Sequence, residues 1–128
     1  LEIVHPNPQI SMYKIMRAYS FEAAHALPHL PPNHKCHHLH GHSYKLEVEV
    51  CGEANDSGWV MDFAEIDNLV VPLVNRLDHK NLNDLFSWPT TSELLAKWFY
   101  DELQIVSSVA ISETAKSKAI YDGYARQS

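Results

Sequence analysis

The chain has 128 residues, 45% of them apolar and 20% charged, with a formal charge of -6 at neutral pH. That length suits one domain with a modest core, and the composition excludes a disordered chain. The acidic balance argues against nonspecific binding to nucleic acid or to an anionic membrane, and no apolar run approaches the ~20 residues of a membrane span.

Residues 1–11, LEIVHPNPQIS, have no clear periodicity and precede Met12. They are set aside as a loose arm or a non-native remnant, which leaves 12–128 as a single domain. No positively charged start with an apolar stretch behind it points to secretion. Two cysteines, Cys36 and Cys51, make no disulfide framework, so a reducing, cytoplasmic setting is expected. A lone Cys36–Cys51 bridge is the less favoured alternative.

Tyr13 to Ala24 mixes polar and apolar residues at strand-like spacing and predicts a first strand. Residues 26–39 hold Pro28, Pro31 and Pro32 and predict a loop. From His40 to Cys51 the alternation is clear. Tyr44, Leu46, Val48 and Val50 share one face, with Lys45, Glu47 and Glu49 on the other, so a second, half-buried strand is expected. Gly52 to Gly58 is turn-like, and Trp59 begins a new segment.

Asp62 opens a D-x-x-E capping box with Glu65, and Phe63, Ile66, Val70, Val74 and Leu77 follow at helical spacing. Pro72 should kink or shorten that helix. Thr90 and Glu93 form a second box, ahead of an apolar face made by Leu94, Leu95, Trp98, Phe99 and Leu103. Val109 and Ile111 alternate with Ser108, Ala110 and Ser112 in a third strand, and Lys118 to Tyr124 is a fourth. The expected order is β-β-α-α-β-β, an α+β fold with two helices on one face of an antiparallel sheet. The edges of such a sheet need covering or pairing.

Residues 36–42 read CHHLHGH, and seven of the nine histidines lie within residues 25–42. His40 and His42, two apart on a predicted strand, point to the face of Tyr44 and Leu46. Imidazoles on a buried face are costly unless something accepts their nitrogens, and a metal does so directly. Gly41 between them lets the backbone bend or pack closely. A third ligand is needed. His25, at the end of the first strand, reaches the site if the first two strands pair, and His38 is the local rival. His29, His34 and His37 fall in the loop. Three neutral histidines alone would make an open, catalytic type of zinc site.

Cys36 has two readings. It is the fourth ligand of a closed structural site, or it stands free as a nucleophile or base, with Lys35 nearby to lower its pKa. The adjacent Asp78 and His79 can form a proton-transfer unit, or they are polar residues of a helix-ending loop. Glu113 continues the parity of Val109 and Ile111 and should point inward, as a structural ion pair or as an anchor for an N–H/NH2 edge of a heterocycle.

FEAAH, C-x3-HGH, WVMDF, LDHKNLN, PTTSE and SET occur in this order. Together they closely resemble the 6-pyruvoyl-tetrahydropterin synthase family, over Tyr13 to Gly123. The resemblance implies the tunnelling fold, in which trimers close into barrels and two trimers usually stack as a homohexamer with active sites between subunits. It implies zinc held by His25, His40 and His42. Cys36, Asp78 and His79 become the proton-transfer group, with Asp78 and His79 donated across a subunit interface. Glu113 becomes the pterin anchor, with Thr90, Thr91, Ser92 and Glu93 around the heterocycle. The short C-x3-HGH spacing resembles the carboxytetrahydropterin-forming branch of queuosine and deazapurine biosynthesis. A branch with glutamate in place of the cysteine is disfavoured by Cys36. The implied substrate is 7,8-dihydroneopterin triphosphate. The implied products are 6-carboxy-5,6,7,8-tetrahydropterin, acetaldehyde and triphosphate. The alternatives are the pyruvoyl-forming branch and a non-catalytic zinc-binding protein. One residue departs from the pattern: Asp122 stands where many relatives carry Lys or Arg that helps hold triphosphate, leaving Lys35, Lys116 or Lys118 to compensate.

Overall fold

The computed structural model describes residues 11–123. Nearly all of the expected arm, and the Tyr124 end of the expected last strand, lie outside the described residues. Two long strands come first, β1 (Tyr13–His25) and β2 (His40–Gly52). Then follow α1 (Phe63–Leu77), β3 (Lys80–Asn81), α2 (Leu82–Leu85), α3 (Ser92–Leu103), β4 (Ser108–Thr114) and β5 (Ser117–Tyr121). The sheet order is β3-β1-β2-β4-β5. All pairs are antiparallel except β1 with β3, which is parallel. Among the described residues the fold is α+β with five strands and three helices. The expected order missed β3 and α2 because each is too short to carry a period.

The β1–β2 register follows from alternation. Phe21, Ala23 and His25 of β1 face the same way as Tyr44, Leu46, Val48 and Val50 of β2, and Val109 and Ile111 of β4 join them. The helices cover this face. Ile66, Val70, Val74 and Leu77 of α1 and Leu95, Ala96, Phe99 and Leu103 of α3 complete the core. Apart from Ala96, each such side chain contributes about 1.5–3 kcal/mol when fully buried. The aromatic rings of Phe21 and Tyr44 stack at 4.9 Å in the middle of it.

Three local expectations are corrected. Pro72 does not interrupt α1, which runs unbroken from Phe63 to Leu77. Pro72 and Asn68, whose carbonyl loses its N–H partner, are both exposed, so water can take the acceptor. The cap of α3 is Thr91, whose hydroxyl accepts from the Leu94 amide, and not Thr90. Gly41 has no steric need to be glycine: an added Cβ would meet only the Ala23 carbonyl oxygen, at an ordinary 3.7 Å. Asp62 caps α1 as expected, but its side chain accepts from the Ala64 amide, at 2.9 Å, and not from the Glu65 amide of a capping box.

Candidate metal centre

The β1–β2 pairing sets His25 directly opposite His40, and alternation puts His42 on the same face. The rings converge: centroids are 4.6 Å apart for His25–His40, 4.7 Å for His40–His42 and 5.2 Å for His25–His42. One nitrogen from each lies within 4.8 Å of the others. The Nε2 atoms of all three are buried and have no hydrogen-bond partner among the described residues. Buried imidazole nitrogens left bare cost free energy, so their convergence fits a cation that takes their lone pairs.

The opposite nitrogens fix the tautomers. His25 Nδ1 is 2.9 Å from the Thr90 carbonyl oxygen and 3.0 Å from its hydroxyl. His40 Nδ1 is 2.7 Å from the His38 carbonyl oxygen. A carbonyl only accepts, so Nδ1 carries the proton in both rings and Nε2 keeps its lone pair. Burial lowers the pKa of His25 and of His42, which favours the neutral form a metal requires. His38, the rival ligand, is exposed in the loop and contributes its carbonyl instead.

Glu113 joins the cluster. Its Oε2 is 3.6 Å from His42 Nε2 and its Oε1 3.9 Å from His25 Nε2, with the side chain 28% exposed. The inward parity holds, but the carboxylate is half-buried and addresses the histidines. It also lines a cavity of about 510 Å³ with Leu27, Thr91, Ser92, Glu93 and Lys118, at the start of α3. Thr90 does not line that cavity. It is fully buried and holds His25 from behind. Sequence reasoning placed Thr90 with the heterocycle; nothing in a T-T-S-E run says which threonine turns inward. Tyr44 lies on the histidine face, as its parity implied; its buried hydroxyl has no partner among the described residues, and its ring lies 5.4 Å from that of His42.

The remaining site residues are not among the converging ligands. Asp78 caps the C-terminus of α1, and His79 follows with φ +59. Both are clamped to β1 at Glu22: the Glu22 amide donates to Asp78 Oδ1 at 2.9 Å, and the His79 amide donates to the Glu22 carbonyl at 2.6 Å. Asp78 Oδ2 meets His79 Nδ1 at 3.1 Å. The Glu22 amide, with help from His79, holds the Asp78 carboxyl below the usual range. His79 is 78% exposed and lines a cavity of about 490 Å³ with Glu22, Ser43 and Lys80. Ala23 and His42, which have the opposite parity to Glu22 and Ser43, border the same cavity, so it opens at the edge of the triad. Cys36 is a free, half-buried thiol in the loop and is not among the converging ligands. The loop closes at its base where the Leu27 amide donates to the Cys36 carbonyl at 2.9 Å.

A sheet antiparallel except at β3 and backed by helices, with three histidines of two neighbouring strands converging at one end, defines a protein able to hold a metal ion there. Residues 14–124 match the profile of the 6-pyruvoyl tetrahydropterin synthase family. The chain is 39% identical over 122 residues to a 6-carboxy-5,6,7,8-tetrahydropterin synthase of Synechocystis sp., covering 86% of this chain and 93% of that one. It is 40% identical over 91 residues to a dihydroneopterin monophosphate aldolase of Pyrococcus furiosus, covering 71% and 75%. The solved 6-pyruvoyl tetrahydropterin synthase of Caenorhabditis elegans superposes with a TM-score of 0.81 at 28% identity, over 90% of this chain and 98% of that one. The chain belongs to the 6-pyruvoyl tetrahydropterin synthase family, whose enzymes act on pterins.

Proposed function

We propose that this protein is a zinc-dependent cytoplasmic lyase of queuosine and deazapurine biosynthesis. It converts 7,8-dihydroneopterin triphosphate and one water into 6-carboxy-5,6,7,8-tetrahydropterin, acetaldehyde and triphosphate. The observation that carries the reading is the meeting of three bare Nε2 atoms beside a carboxylate. Zinc suits three neutral imidazoles, and when bound it would polarise the hydroxyls of the substrate side chain. The names borne by the relatives support the branch.

The chain's own residues divide the work. His25, His40 and His42 hold the metal, oriented by the Thr90 carbonyl and hydroxyl and the His38 carbonyl. Glu113 accepts from the N–H edge of the pterin, with Thr91, Ser92 and Glu93 lining the space beside it. Asp78 keeps a proton on His79 Nδ1, so His79 Nε2 can take or give one. Cys36 serves as the second proton carrier. Lys116 and Lys118 line a cavity of about 650 Å³ that Glu113 also borders, which suits them to the phosphate chain; Lys35 does not line it. His79 borders a cavity that His42 of the triad also borders. A homohexamer of two barrel-forming trimers would let one subunit's Asp78 and His79 serve another's metal.

A second reading has its own support: a relative at 40% identity bears the name of a monophosphate aldolase. One assay separates them. Zinc-loaded protein is given dihydroneopterin triphosphate or monophosphate, the released aldehyde is trapped and the pterin product is weighed. Acetaldehyde with a carboxypterin from the triphosphate is the expected result. Turnover of the monophosphate alone would favour the aldolase. A pterin that keeps all three side-chain carbons, with no aldehyde, would reassign the chain to the pyruvoyl-forming branch.

A further inference from the structure

The stretch after α1 is fastened to β1 at successive points. Asp78 and His79 bond the backbone of Glu22, and Lys80 and Asn81 of β3 pair with Ala23 and Ala24. The fastening continues beyond β3. The side-chain amide of Asn83 takes both backbone groups of Ala26. The Ala26 amide donates to Asn83 Oδ1 at 2.7 Å, and Asn83 Nδ2 donates to the Ala26 carbonyl at 2.9 Å. One side chain thus serves Ala26 as a neighbouring strand would. An amide carries the needed donor and acceptor side by side, whereas a carboxylate only accepts. Asn83 is itself held in place. Its own backbone amide donates to Asn81 Oδ1 at 3.0 Å, the cap of α2, and Leu82 beside it is fully buried.

Ala26 is the first residue of the loop between β1 and β2. It follows the metal-facing His25 and precedes Leu27, whose amide donates to the Cys36 carbonyl at 2.9 Å. The Cys36 amide in turn donates to His34 Nδ1 at 3.0 Å. A short chain of contacts therefore runs from α2 through Asn83, Ala26 and Leu27 to Cys36. We propose that Asn83 is a positioning residue for Cys36: it pins the root of the loop, so that the thiol keeps a fixed place relative to the histidines. The catalytic consequence rests on the proton-carrier reading of Cys36 above. Asn83 and both of its bonds to Ala26 are exposed, so water can replace each bond with little loss of stability. What a substitution removes is the fixed geometry.

Alkylation of the zinc-loaded protein by iodoacetamide, resolved at each cysteine by peptide mass spectrometry, tests the pin without turnover. Both thiols are half-buried, and Cys51 lies at the other end of β2, so it reports any general loosening. Asn83→Ala should speed alkylation of Cys36 about fivefold or more, while Cys51 stays within about twofold of wild type. An unchanged Cys36, or equal acceleration of both thiols, overturns the assignment. Hydrogen exchange of the wild type keeps the test open should the variant not fold. The Ala26 and Leu27 amides should be protected, and an Ala26 amide that exchanges as freely as an unbonded loop amide overturns the pin. In turnover, Asn83→Ala should cost about tenfold in the wild-type background and nothing further in Cys36→Ala, where the pin has no thiol to place. Equal loss in both backgrounds overturns the proposal. If Cys36→Ala itself turns over like the wild type, the proton-carrier reading fails, and the alkylation rates still decide whether Asn83 holds the loop.

Discussion

The histidine triad and the Asp78–His79 pair are held in opposite ways. The triad sits on strands of 13 residues each that pair along their whole length. His25 is 1% exposed, and its far nitrogen is fixed by Thr90. The dyad follows a helix, on a turn secured to the sheet through one residue, Glu22, and the two-residue β3. His79 takes a left-handed conformation, φ +59, which costs a non-glycine residue roughly 1 kcal/mol. Metal ligands must be aligned before the metal arrives, and a rigid paired ladder does that. A proton carrier, the role proposed for this pair, must be reached by its substrate, and an exposed turn allows that. Position is given to one region by burial and to the other by a local backbone clamp.

The comparison can be broken most forcefully at the triad. A His40→Ala/His42→Ala double variant should lose both zinc and turnover, while His79→Ala should lose turnover and keep its zinc. Full zinc retention in the double variant, by metal analysis of the purified protein, would dissolve the distinction. Next in size is the thiol. Cys36→Ala should keep zinc and lower turnover by roughly 10²-fold or more, the scale of a lost proton carrier. Weakened zinc binding in that variant would make Cys36 a ligand instead. Mixed oligomers of Cys36→Ala and His79→Ala chains should regain part of the activity if the site is shared; verified mixtures with no rescue would count against sharing.

Smaller effects sharpen the contrast. Thr90→Val removes the hydroxyl behind His25 but keeps the carbonyl, and should weaken zinc by about tenfold without unfolding the chain. Smallest is the response of the metal-free protein to acid. Burial lowers the pKa of His25 and His42 from 6.5, so the unfolded chain takes up protons that the folded chain refuses. Stability should fall as pH drops below about 6.5 and keep falling until the folded histidines titrate. A melting temperature flat from pH 7.5 to 5.5 would show that burial does not hold these rings neutral.

What could be read from the sequence follows the same division. β2 was legible residue by residue, because alternation of period two over a long strand leaves one answer for Tyr44, Leu46 and Val48. The convergence of His40 and His42 came with it, and His25 followed once β1 and β2 were paired. The Asp78–His79 turn was visible as a chemical pair, but its placement depends on β3 and on backbone bonds to Glu22, which have no periodic signal. Thr90 and Thr91 are both competent caps by composition. Only tertiary packing decides that Thr91 caps α3 while Thr90 turns to His25. Pro72 misled because its cost depends on which side of the helix it occupies, and it occupies the exposed side.

Tyr44 carries a last consequence, one for thermal tolerance. Its ring is fully buried against Phe21, yet its hydroxyl is bonded to nothing among the described residues. Phenylalanine would keep the stacking and remove a buried unsatisfied group, a relief of about 1–3 kcal/mol. Tyr44→Phe should therefore melt several degrees higher than the wild type, since 1 kcal/mol moves a domain of this size by roughly 2–6 °C. The centre of this core is a place where the protein runs below its attainable heat resistance, and calorimetry of one variant would measure the margin.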